Sequence, residues 1–372
     1  MFFITYSNLW TWAIFFPLTY VLFIFSTIFY CLPILKNHTS FTSTKFKSLF
    51  LKINNFDLKL VIYTPLIILL LLLLLWEAPT TSAWFGHVIF ASQQIKMSYF
   101  IWTVFLLVIT VFLSTSYFTS REIYDYIIVL YNFFYWILIL FLSNTILTTI
   151  FVIEVISALI FLLIVTSTLT SNYYYRNLDF SFGHIFQNSS PYTYLQSLIY
   201  YFWISLISAI NLFLFLLLLY TRLYTLDWFT IEYIFHYLTL TSSFKDLISL
   251  GCIWLILLIS IFVKSGIAPL YLYKPTFFKG LPFYTLFFYI CFFYFFFFLF
   301  VIHLLNSYFS EMFYFYSFII TILVLLGLFT LLFIICDSFY LKVFLAISSI
   351  LNSLFVFLAL TSTHQSVIYL WL

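Results

Sequence analysis

Ten apolar stretches, each about as long as a bilayer is thick, follow one another along this chain with little sequence between them. A hydrocarbon core of about 30 Å takes roughly 20 apolar residues as helix. Lipid offers the backbone no hydrogen-bond partners, so each stretch must close its bonds within itself as an α-helix. The sequence therefore predicts an all-α fold, a polytopic transmembrane bundle of about ten helices. The stretches lie near 10–35, 60–76, 98–118, 123–142, 144–169, 198–221, 248–270, 283–305, 314–335 and 340–361, the fourth and fifth divided only by Ser143-Asn144-Thr145. At 65% hydrophobic and 7% charged residues, a soluble globular class is excluded. The first run opens Met1-Phe2-Phe3 without a basic segment or a small-residue cleavage site, so it reads as a retained helix rather than a signal peptide.

Lys and Arg test this topology, because they collect on one side of a membrane. Connections after the odd-numbered spans hold Lys36, Lys45, Lys47, Lys52, Lys59, Arg121, Arg176, Lys274, Lys279 and Lys342, ten in all. Those after the even-numbered spans hold three, Lys96, Arg222 and Lys245. Both termini are thus expected on the side opposite the basic loops. The net charge of +3 is loop asymmetry and gives no ground for a nucleic-acid partner. Lys45, Lys47 and Lys52 suit either a plain positive-inside loop or contact with lipid, cardiolipin headgroups included.

The chain carries 54 Phe and 31 Tyr but only 6 Gly, although small residues favour close contact between membrane helices. Phe, Tyr, Ile, Leu and Asn have A/T-rich codons, so the composition reads as organelle-encoded and mitochondrial. The run FFYFFFFLF is then lipid-facing bulk. Cys31, Cys252, Cys291 and Cys336 show no CxxC spacing and suggest neither a disulfide framework nor a metal site.

Two charges do not fit a passive bundle. Glu154 is the one acid inside an apolar run, TIFVIEVISALIFLLIV, about ten residues or roughly 15 Å into its helix. Lys264 sits near the end of the seventh span in FVKSGIAPLYLYKP, beside Gly266 and Pro269. An unpaired charge at this depth costs between roughly 3 and more than 10 kcal/mol. Proline removes a backbone donor and glycine loosens the chain, which supplies polar partners at a helix break. A buried acid and a buried base shift each other's proton affinity, the minimum of an electrostatically driven relay. A purely structural pair, or two groups solvated separately, is the other reading. His303, near the end of the eighth span, suits a proton carrier by residue type and equally a satisfied polar side chain.

The string KSGIAPLYLYKPTFFKGLP resembles the lysine-bearing broken seventh helix of the antiporter-like subunits of respiratory complex I, and within them the subunit 2 pattern of NADH dehydrogenase, with Lys264, Gly266, Ala268, Pro269, Pro275, Gly280 and Pro282 in register. Upstream, EIYDYIIVLYNFFYWILILFLSNTILTTIFVIEVISALIFLLI is similar to that family's fourth and fifth helices, with Glu154 at the glutamate and Ser157 just after it. Downstream, YLKVFLAISSILNSLFVFLAL resembles a later stretch through Lys342, Leu345, Ala346, Ser348, Ser349 and Ile350. The matches come in family order and cover roughly residues 95–361.

The departures are as informative. The family's sixth-helix lysine falls at Tyr200 and its eighth-helix lysine at Tyr294, while its P-F-H-x-W reads Pro269-Leu270-Tyr271-Leu272-Tyr273. Tyr200, Tyr271, Tyr294 and His303 are the candidate substitutes for the missing charges. The resemblance implies N-terminal helices over 1–97, a first antiporter-like repeat over 98–282 and the start of a second over 283–372. Family members typically have fourteen helices, so a second hydrophobic chain is expected to supply helices 11–14. The implied role is a complex I membrane-arm subunit of the mitochondrial inner membrane, multi-pass, with both termini in the intermembrane space. Its neighbours would be antiporter-like subunit 4 and the subunit 4L side. NADH, FMN, iron-sulfur clusters and ubiquinone would belong to other chains of the complex, with bound phospholipid as a further ligand. No dinucleotide glycine fingerprint, cysteine cluster or mid-span haem histidine pair is present here. A free-standing cation/proton antiporter and a structural membrane subunit are the alternatives.

Overall fold

The computed structural model describes residues 81–90, 96, 98–105, 120–175, 191–241, 244–267, 269–281, 283–307, 309, 316–335 and 340–360. The first two predicted spans, most of the third and the basic segment 36–59 lie outside the described residues. The chain divides into two compact units, Met1–Asn144 and Thr145–Leu372.

In the first unit a two-stranded antiparallel ribbon, β1 (Thr81–Ala83) and β2 (Val88–Phe90), precedes helix α1 (Ser120–Leu142). The sequence reading did not anticipate this ribbon. Phe85 and Gly86 both take positive φ, 56° and 90°, in the turn that joins its strands. The ribbon closes the end of α1: the Asn144 amide donates to His87 O at 2.8 Å and its side chain to Gly86 O at 3.1 Å. Carbonyls and amides that a helix end leaves orphaned are satisfied here by extended backbone.

The second unit is helical. It comprises α2 (Ile146–Tyr175), α3 (Pro191–Leu223), α4 (Trp228–Thr241), α5 (Phe244–Ser265), α6 (Tyr273–Gly280) and α7 (Phe283–Phe288), which runs through a π-helical turn (Tyr289–Tyr294) into α8 (Phe295–Ser307). Helices α9 (Ser317–Ile335) and α10 (Leu341–Leu360) follow. Thr145 caps α2, its Oγ1 accepting the Thr148 amide at 3.4 Å, so a polar tripeptide suffices to start this helix afresh. Among the described residues six segments are long and apolar enough to cross a membrane: Ile146–Val165, Tyr194–Leu223, Ile248–Ser265, Thr285–Leu305, Ser317–Ile335 and Leu341–Leu360. They coincide with the fifth to tenth predicted spans, and the protein is a multi-pass, all-α membrane protein.

Two helices go beyond the sequence prediction. The 14-residue α4 lies between the sixth and seventh spans and is tied to the start of α2, where the Ile146 amide donates to Leu226 O at 2.9 Å. The 8-residue α6 continues the seventh span after an interruption. Helix α3 organises this unit, contacting α2, α5 and α6. Ser197, Tyr201, Ser208, Leu212, Phe215 and Leu219 fall at three- and four-residue steps and form its buried stripe, while Leu195, Phe202, Trp203, Ile210, Phe213 and Leu217 stay exposed. An exposed face of this size is ordinary where lipid is the solvent. On α6, which also contacts α10, Lys274, Phe277 and Phe278 are fully buried.

Candidate functional site

The interruption of the seventh span is made by Gly266. Its φ of +63° is a left-handed conformation that a side chain disfavours. The Ile267 amide turns back to Phe262 O at 3.1 Å and the Gly266 amide to Val263 O at 3.4 Å, the paired bonds of a Schellman cap. Pro269 lies beyond the cap and is exposed, where it follows a helix already ended. The chain then turns and re-enters as α6.

Ending α5 in the interior leaves its last carbonyls without helical partners, and side chains from α6 reach them. The Tyr273 hydroxyl donates to Val263 O at 2.8 Å and Lys264 O at 3.3 Å. Lys274 Nζ donates to Ser265 O at 3.1 Å. The negative end of a helix dipole is thereby met by a hydroxyl and a cation.

Lys264 itself turns the other way, toward α2. Its Nζ donates to Glu154 Oε1 at 2.8 Å and to Ile153 O at 3.4 Å. The ammonium-bearing side chain is 5% exposed and the carboxylate side chain 25%. The second carboxylate oxygen, Oε2, accepts from Ser157 Oγ at 3.2 Å, and that hydroxyl also lies 2.7 Å from Glu154 O. Tyr201 of α3 completes the surround, its hydroxyl donating to Ser157 O at 3.1 Å while its ring stacks on Phe277 at 5.5 Å. Residues from α2, α3, α5 and α6 thus converge on one charge pair.

The other sequence candidates are spread more widely. Tyr200 is 37% exposed, and its hydroxyl lies 3.5 Å from Gln196 Nε2 on its own helix. Tyr271 is buried within the interruption, and its carbonyl accepts the Lys274 amide at 2.9 Å. Tyr294 is buried at the end of the π-helical turn and donates to Ser349 O of α10 at 3.2 Å. His303 is exposed on α8, and no bond described here joins it to the pair.

Lys274 requires a correction. Counted from the sequence as a loop charge, it is 0% exposed, with Nζ 3.9 Å from the Tyr294 ring centroid and 5.8 Å from that of Phe278. Its neighbours along the chain are not apolar enough to announce burial. The other site residue that sequence reasoning missed is Tyr201, next to the Tyr200 chosen by register. The helical stripe through Ser197, Ser208 and Leu212 was the signal that would have found it.

Among the described residues no group of three His, Cys, Asp or Glu side chains is placed to hold a metal ion. No sequence family matches the chain, and no curated protein does. Among solved structures it is similar to a chain of the membrane-bound sulfane sulfur reductase, an archaeal respiratory membrane complex, with a TM-score of 0.60 and 15% identity. The likeness covers 86% of this chain and 50% of that one. At this identity it is a likeness of fold, and this chain spans half the length of its neighbour.

Proposed function

We propose that this chain is a membrane-arm subunit of a proton-pumping NADH:ubiquinone oxidoreductase, the subunit 2 of a mitochondrial complex I, and that it carries the proton-uptake half of an antiporter-like channel. The observation that carries the reading is the Lys264–Glu154 ion pair, two charges 110 residues apart brought to 2.8 Å beside an interrupted helix. The fold likeness to a respiratory membrane complex supports it. A passive span has no use for a buried lysine, a matching acid and a glycine cap at one place.

In this mechanism Glu154 sets how firmly Lys264 keeps its proton. The carboxylate stabilises the ammonium, and a charge change near Glu154 that weakens this hold lets Lys264 release the proton. Ser157, hydrogen-bonded to the same carboxylate, fixes the oxygen that does not face the lysine. Tyr201 ties α3 to α2 at this level, so that movement of either helix alters the pair. The chain itself performs no redox step. NADH, FMN, iron-sulfur clusters and ubiquinone are held by other subunits, and their chemistry drives the charge changes. The partners are the neighbouring antiporter-like subunit 4, the subunit 4L side, a second hydrophobic chain that completes the second repeat, and lipids including cardiolipin. The inner mitochondrial membrane is the expected location.

The test starts with native complexes resolved from membranes in mild detergent. Peptides of this chain are expected to migrate with NADH dehydrogenase activity and with another small hydrophobic chain. In the assembled complex, Lys264→Ala or Glu154→Gln is expected to lower protons moved per electron far more than it lowers assembly. Migration apart from that activity points instead to a free-standing antiporter or a scaffold of another complex.

A further inference from the structure

Lys274 is a second buried cation, held by means unlike those that hold the first. It lies on α6, on the far side of the interruption from Lys264, and is 0% exposed. Among the described residues no carboxylate lies within ion-pair distance of it. Its polar contacts are Ser265 O at 3.1 Å and the face of Tyr294 at 3.9 Å. A carbonyl at a helix end and the negative face of an aromatic ring each favour an ammonium without supplying a countercharge. A lysine so placed gains and loses a proton readily, because neither contact outweighs complete desolvation as a carboxylate would.

The geometry continues away from the ion pair. Ser265 and Lys264 are adjacent, so the carbonyl that receives Lys274 is one peptide from the backbone of the paired lysine. On the other side, the Tyr294 hydroxyl donates to Ser349 O of α10 at 3.2 Å. Ser349 and Ser353, one helical turn apart, are both buried on α10. A polar line therefore runs from Glu154 through Lys264, across the helix interruption to Lys274, and on through Tyr294 to the serines of α10. Everything around it is apolar.

We infer that Lys274 is the second proton-carrying station of this channel, receiving the proton that Lys264 releases and passing it toward Tyr294 and α10. One lysine becomes neutral as the other becomes charged, so the total charge at the interruption is conserved during the step. The inference rests on the proposed proton-channel function. The competing role for Lys274 is a fixed cation that only caps the end of α5.

Arginine separates the two roles, since it keeps the charge, the hydrogen bond and the ring contact but does not release its proton. The experiment compares Lys274→Arg, Lys264→Met, and Lys274→Met combined with Tyr294→Lys, each in the assembled complex. Protons moved per electron and NADH oxidation are read together. Lys274→Arg is expected to assemble and to lose this subunit's share of proton transport. The double variant, which moves the ammonium to the facing helix at the same place, is expected to regain it. Normal transport in Lys274→Arg overturns the inference and leaves Lys274 a cap. An assembled double variant without transport also overturns it, as does failure of both Lys274 variants to assemble. If Lys264→Met alone loses transport, only the second station falls. If Lys264→Met transports normally, the proposed channel function falls with it.

Discussion

Two lysines ten positions apart, on either side of one helix interruption, are buried by opposite strategies. Lys264 faces a carboxylate at 2.8 Å, whereas Lys274 faces a carbonyl at 3.1 Å and a tyrosine ring at 3.9 Å. A countercharge makes each member of the first pair depend on the other. Dipoles and a ring quadrupole leave the second cation dependent on nothing that titrates nearby. The same residue type in the same interior can thus be locked or labile, according to what it meets.

The largest expected effect follows from that dependence. Lys264→Met strands the Glu154 carboxylate, and breaking a buried pair costs roughly 3–5 kcal/mol. The low end applies here because the carboxylate side chain is 25% exposed. Lys274→Met strands only a carbonyl and relieves a desolvated charge, so thermal unfolding of the solubilised complex should move little or upward. Replacing Glu154 and Lys264 together by leucine should recover most of the stability that the single substitution loses, with transport still absent. Equal losses in the two methionine variants would break the contrast.

Gly266→Ala comes next and perturbs the two lysines unequally. A Cβ there enforces a left-handed conformation at about 1–2 kcal/mol. It would also sit 2.9 Å from the Tyr273 hydroxyl and 3.0 Å from Lys274 Cδ. Both neighbours belong to α6, so the Lys274 side should shift while the Lys264–Glu154 pair holds. Cross-linking of cysteines placed on α6 and α10, compared with a pair on α2 and α5, would read this. Equal disturbance of both sides would mean that the interruption moves as one piece.

Much of this arrangement was legible in the sequence. Hydropathy located the fifth to tenth spans, because a run of some 20 apolar residues has few other uses. Glu154 and Lys264 stood out because charge within such runs is rare. Lys274 did not, since its segment Tyr-Lys-Pro-Thr-Phe-Phe-Lys-Gly reads as a polar connection, and only contact with α3 and α10 makes it interior. Removing it from the loop charges still leaves nine against three, so the sidedness argument tolerated the error. The register that places a family lysine at Tyr294 found the right location. What it could not reveal is that a lysine from another helix lies on that tyrosine's ring.

Tyr201 and Tyr200 extend the contrast to neighbouring residues of α3. Adjacent positions on a helix point about 100° apart, so one of the two turns inward and the other outward. Tyr201 is buried and donates to Ser157 O at 3.1 Å. Tyr201→Phe should cost about 1 kcal/mol, the net worth of one such hydrogen bond. It should also loosen α3 from the helix that carries Glu154, with a measurable fall in transport.

The smallest expected effect is at Tyr200. Its side chain lies on the exposed face with Ile199, Phe202 and Trp203, and its one printed polar contact is the 3.5 Å approach of Gln196 on the same helix. An exposed substitution away from packed or bonded groups changes stability by less than about 0.5 kcal/mol. Tyr200→Phe should therefore leave thermal unfolding and protons moved per electron both unchanged. Loss of transport with assembly intact would be decisive in the other direction. A hydroxyl on the outward face would then take part in proton movement, and the division of α3 into an inward polar stripe and an outward apolar one would no longer separate the residues that carry protons from those that meet lipid.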